Sequence, residues 1–169
     1  MDEKDLRKIV DAVKDNIKSP SINKGSASTY KTDNITLNTA KLLAEAVEKE
    51  AARVGVKAVI AITNSGANPI LIHATDDSFI ASYDVALQKA YTSVSLKMPT
   101  STLKSMAQPN QPLYGIQFTN NCRIVVFGGG DPLKIGDAVV GGLGVSGGTE
   151  ELDTYLSAYG ADYFKNNLA

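Results

Sequence analysis

One stretch, Arg123 to Asp153, limits what this chain can become: RIVVFGGGDPLKIGDAVVGGLGVSGGTEELD. Apolar residues Ile124 to Phe127 run into Gly128, Gly129 and Gly130, and a second apolar run carries Gly141, Gly142 and Gly144. Glycine weakens a strand, so strands with this many require backbone or ligand to come close. The glycines can cradle a ligand, line a shallow pocket, or let the sheet pack tightly against a neighbouring subunit.

FGGGDPLK lacks the spacing of a phosphate loop and leads into a turn and a strand, which argues against nucleotide binding. Ser146-Gly147-Gly148-Thr149 does open a helix, where free N–H groups and the dipole favour an anion. Glu150 and Glu151 in the first turn already meet that preference, so a capped helix competes with a ligand site there.

The 169 residues suffice for one domain with a substantial core. A net charge of −1 gives no general field for nucleic acid. The single cysteine, Cys122, can form no internal disulfide, which suits a reducing compartment. MDEKDLRKIV lacks the apolar core of a signal peptide, and no stretch approaches the roughly 20 apolar residues of a membrane span. The expectation is a cytoplasmic protein that binds neither nucleic acid nor membrane.

In chain order, Leu6, Ile9, Val10, Val13 and Ile17 place a narrow apolar stripe on a helix over 1–18, which Pro20 ends. Residues 19–34 turn to Ser, Asn, Lys, Thr and Gly and read as a flexible linker, so the helix is tethered to a domain over 35–169. Its stripe wants a partner, either its own domain, a sister subunit or another protein. Within the domain, Ala40, Leu43, Ala44, Val47, Ala51 and Val54 form a helical stripe stopped at Gly55. VKAVIAIT and ILIHA flank the turn NSGANP as a hairpin. A helix follows with Ile80, Tyr83, Leu87, Ala90, Tyr91 and Val94 on one face, closed by Pro99. After a helical turn at 102–106, LYGIQFT and CRIVVFG read as a second hairpin turned at Asn120 and Asn121. A reversal at Gly136 and Asp137 adds a fifth strand, and a last helix starts near Thr149. These elements predict an α+β fold, an antiparallel five-stranded sheet with flanking helices, preceded by the tethered amphipathic helix.

His73 is the only histidine, which excludes a multi-histidine metal site within one chain but not a haem-iron ligand. It stands at a strand end before Asp76 and Asp77, where a structural or solvent-facing role is the alternative. Lys89, beside the apolar stripe, can pair a ligand carboxylate or form a salt bridge, and Tyr91 is its neighbour in mid-helix. Cys122 has no partner base near it in sequence.

The alanine-rich opening helix, DVALQKAYTSVSLKMPTSTL, QPLYGI and VVFGGGDPLKIGDAVVGGLGVSGGTEELD follow one another in this order. In these strings and their order the chain from Ile35 to Phe164 resembles the GlcG/HbpS family, which includes the C-terminal domain of PduO proteins. Where relatives commonly read His-Arg-Met-Asp-Asp, this chain has His73-Ala74-Thr75-Asp76-Asp77 and lacks the arginine and methionine. The resemblance implies a profilin-like or roadblock-like fold, homo-oligomers, and in some relatives haem binding. DLRKIVDAVKDNI resembles the encapsulation peptides of bacterial microcompartments, with which PduO-type domains are associated.

Together these readings give a non-catalytic accessory cargo protein of a bacterial microcompartment that binds haem or a corrinoid. It would be a homo-oligomer, placed in the compartment lumen by residues 2–18 docking on a shell or cargo protein. The candidate ligand residues are His73 (also the haem-iron ligand), Asp76, Lys89, Tyr91, Gly128, Gly129, Gly130, Ser146 and Gly147. The alternatives are an enzyme acting on a small carboxylate or aldehyde through Lys89, Asp76 and Tyr91, and a structural homo-oligomer without ligand.

Overall fold

The structure is a computed structural model and describes Arg7 and residues 34–169. The stripe residues Leu6, Ile9, Val10, Val13 and Ile17, and the linker up to residue 33, lie outside the described residues.

Helix α1, Leu37–Arg53, begins at Thr36, whose hydroxyl accepts from Thr39 N at 3.1 Å. It buries Ala40, Leu43, Ala44, Val47 and Ala51 of the stripe read from the sequence, while Val54, the sixth, is the half-buried C-cap residue. Strands β1 (Val59–Asn64) and β2 (Pro69–Ala74) pair antiparallel. Asn64 Oδ1 holds their turn by accepting from Gly66 N and Asn68 N at 2.9 and 3.0 Å. Helices α2 (Ile80–Leu96) and α3 (Thr100–Met106) follow, then strands β3 (Gly130–Ile135) and β4 (Ala138–Ser146) and helix α4 (Glu150–Asn167).

The strands lie in the order β2-β1-β4-β3, all antiparallel. Alternation along them divides the core into two. Ile60, Ile62, Leu143 and Val145 join α1 and α4 on one face. Val59 and Ala61 meet Ala86 and Ala90 of α2 on the other.

Four strands among the described residues correct the expected five. LYGIQFT and CRIVVFG do not pair. Residues 113–123 form turns and two short 3-10 segments, Ile116–Phe118 and Asn120–Cys122. Asn120, Asn121 and Cys122 all have positive φ, which no strand can accommodate. Residues 123–127 are instead strapped to α2, where Thr92 Oγ1 accepts from Val125 N at 3.0 Å and Gln88 Oε1 from Arg123 Nε at 3.1 Å. The strand expected at 122–128 forms later, at Gly130–Ile135, and it is an edge strand, so Pro132 costs no interior ladder position.

The α2 face is also corrected. Ile80 is 95% exposed and Tyr83 is 48% exposed, while Ser82, Ala86, Lys89, Ala90 and Ser93 are buried. The glycines of β4 explain the choice. A Cβ at Gly142 would lie 2.6 Å from Ala90 O, and one at Gly144 would strike Ala86 O, so the helix backbone rests directly on the strand. The close approach read from the glycine run is to the chain's own helix.

Candidate functional site

The expected ligand residues fall on two faces of the sheet. Lys89 is on α2, beneath the glycine loop. Its Nζ donates to Asp153 Oδ2 at 2.7 Å and to Val145 O at 2.9 Å, and the Phe127 ring covers it at 4.9 Å from the centroid. The side chain has no exposure, so Lys89 cannot meet a ligand carboxylate from solvent. Burial pushes the Lys89 ammonium down, against the Asp153 pairing that opposes it, and pushes the Asp153 carboxyl up.

Around this pair the glycines are consumed by the chain itself. Gly129 has φ +111, and a Cβ there would lie 2.6 Å from Lys89 Nζ, so only glycine lets the loop close over the ammonium. Gly130 N donates to Thr100 Oγ1 and Gly128 N to Glu150 Oε1, each at 2.9 Å. Gly148 N donates to Asp153 Oδ1 at 2.9 Å, and Thr149 caps α4 by accepting from Leu152 N. The α4 N-terminus is thus capped from within the chain. Ser146 Oγ lies 3.3 Å from Ser82 Oγ, with both residues buried. Tyr91 accepts from Asn120 Nδ2 at 3.2 Å and carries the Arg123 guanidinium over its ring at 3.7 Å. The Asn120 hydrogen bond holds its phenol below the ordinary range.

His73 lies on the opposite face. It pairs with Ile60 across β1 and β2, and Ile60 faces α1 and α4, so the imidazole projects to the α1 side. The candidate ligand residues His73 and Lys89 are therefore held on opposite faces of the sheet, because successive strand residues point to opposite faces. The His73 side chain is 42% exposed, yet its Nδ1 is buried and has no hydrogen-bond partner. Glu48 Oε2 of α1 stands 3.3 Å from that nitrogen, off hydrogen-bond alignment. The exposure thus belongs to the rest of the side chain. A depression of about 430 Å³ adjoins this corner, lined by Glu48, Ala52, Val56, Lys57, Thr75 and Asp76. Gly55, Val56 and Lys57 separate it from a second depression of about 440 Å³ that reaches Phe79 and Gly147. Asp76 and Gly147 consequently line different hollows.

Sequence reasoning missed Glu48 and Asp153. Glu48 follows the buried Val47 on α1, and Asp153 lies in the acidic first turn of α4, where an acid reads as a surface charge favouring the dipole.

A three-layer α+β domain with one half-exposed imidazole at a sheet edge is the class defined by these elements. Residues 35–162 match the family described as haem degrading protein HbpS-like, and the chain belongs to that family. It is 43% identical over 130 residues to a 15.0 kDa protein of the dhaT-dhaS intergenic region of Citrobacter freundii, covering 77% of this chain and 92% of that one. It is 32% identical over 111 residues to the corrinoid adenosyltransferase PduO of Salmonella typhimurium, covering 66% of this chain and 33% of that protein. The match to PduO thus spans a third of PduO's length. Among solved structures, the PduOC:heme complex is 28% identical with a TM-score of 0.73, covering 76% of this chain and 94% of that one. No helix among the described residues is long and apolar enough to cross a membrane.

Proposed function

We propose that this chain is an oligomeric accessory protein of a bacterial microcompartment that binds haem through His73. The carrying observation is the imidazole itself: its side chain half exposed, with Nδ1 buried beside a carboxylate. Haem iron takes neutral imidazole as an axial ligand, and a buried, unpaired ring nitrogen with an acid at 3.3 Å fits that use. The HbpS-like family and the haem complex of the PduO relative support the choice of ligand. Lys57 at the hollow's rim offers a cation to a haem propionate, although it also donates to Asp77 at 2.7 Å.

Oligomer formation is supported by the large exposed apolar side chains Phe79 at 72%, Ile80 at 95% and Tyr83 at 48%, the N-cap and first turn of α2. The compartment role rests on the amphipathic pattern of residues 2–18 and on the PduO relationship. The burial of Lys89 Nζ weighs against an enzyme using that lysine on a small carboxylate.

Haemin added to the full chain and followed at the Soret band tests the reading. It requires saturation at a fixed stoichiometry and a Soret band that persists under reductant and oxygen. A linear, non-saturating response contradicts haem binding, progressive loss of the band contradicts the accessory role, and saturable binding of cobalamin instead makes the ligand a corrinoid.

A further inference from the structure

We infer that Glu48 is a positioning residue for His73, holding a proton on Nδ1 and leaving the Nε2 lone pair to face the haem iron. The inference rests on the haem reading above and adds what sets the ligand's tautomer and ring orientation.

The strand register brings the two together. His73 is opposite Ile60, whose side chain enters the core shared with α1, so the imidazole must project beside that helix. Glu48 follows Val47, fully buried in that core, and sits where α1 turns from core to solvent. The result is Nδ1 at 3.3 Å from Glu48 Oε2, shielded from water.

Only one tautomer suits this placement. Without a proton, the Nδ1 lone pair would face a carboxylate oxygen with no donor between them, and both are acceptors. With the proton on Nδ1, the same approach is attractive, and the lone pair passes to Nε2. Glu48 is 41% exposed, so its carboxylate is free to turn into full hydrogen-bond alignment when the ring is fixed by a ligand. A carboxylate behind a ligating histidine orients the ring and raises its basicity. A more basic axial ligand favours ferric over ferrous iron. Glu48 itself stays away from the iron.

The test uses the full chain and its Glu48→Gln, Glu48→Ala and His73→Ala variants, each titrated with haemin and then measured for the ferric–ferrous midpoint potential. Gln keeps the shape and an acceptor oxygen but removes the charge, whereas Ala removes both. Both Glu48 variants are expected to keep the wild-type stoichiometry, to bind haemin about 10- to 100-fold more weakly, and to shift the midpoint to more positive values, Ala further than Gln. His73→Ala is expected to lose the ligation spectrum altogether. Glu48 variants with wild-type affinity and midpoint, alongside a His73→Ala variant that loses ligation, overturn the positioning role alone. A His73→Ala variant with the wild-type spectrum overturns the haem-ligand reading beneath it.

Discussion

Lys89 of α2 and Asp153 of α4 form a buried ion pair at 2.7 Å that joins helices lying on opposite faces of the sheet. Val145 O accepts a second hydrogen bond from Lys89 Nζ, and Asp153 Oδ1 accepts one from Gly148 N, so the pair also fixes the end of β4 and the start of α4. Burial moves both groups away from their charged forms, which marks desolvation as the larger effect.

Breaking this pair leaves a buried charge without a partner. Lys89→Met is expected to destabilise the fold by about 3–5 kcal/mol. The double variant Lys89→Met with Asp153→Leu should recover part of that loss, because the stranded charge goes too. Urea unfolding of both checks this, and a double variant no more stable than Lys89→Met alone would contradict it.

Gly144→Ala tests the contact of α2 with β4. Its methyl would strike Ala86 O and lie 2.6 Å from Ala90 N, backbone that cannot rotate away. An overpacking loss of about 1–3 kcal/mol is expected, read as a lower thermal midpoint. A wild-type midpoint would contradict the close packing described.

Acid should loosen the seam between α1 and α4. Arg53 above all, then Tyr155, hold the Glu50 carboxyl down from its ordinary 4.5 to about 2. A depressed carboxylate contributes stability that is complete above pH 4.5 and lost as pH falls toward 2. Urea midpoints between pH 6 and pH 2.5 should therefore fall less steeply for Glu50→Gln than for the wild type. Parallel slopes would remove Glu50 from the acid response.

Leu6→Asp with Val13→Asp places two charges in the stripe of residues 2–18. Compartment association should be lost while the thermal midpoint of the domain stays unchanged. A double variant still found in compartments contradicts the targeting role.

Much of the fold was legible where periodicity and local turn chemistry agree. The α1 stripe, the hairpin turned through Asn64 to Asn68 and the Thr149 cap all follow from neighbours in sequence. Long-range choices were not legible. RIVVF has a strand's composition, yet Thr92 and Gln88 of a distant helix take its hydrogen bonds. The α2 helix buries serines and alanines rather than Ile80 and Tyr83, because the glycines of β4 admit a helix backbone and leave no room for larger side chains. His73 could be singled out by its rarity, but its separation from Lys89 depends on strand parity, and Glu48 on register across three elements.

The most direct measurement is the ferric spectrum of the haemin-saturated full chain beside that of His73→Ala, with and without added imidazole. A wild-type histidine-ligated spectrum, lost in the variant and restored by imidazole, is the outcome predicted if His73 holds the iron. The same spectrum and affinity in the variant without imidazole would contradict it.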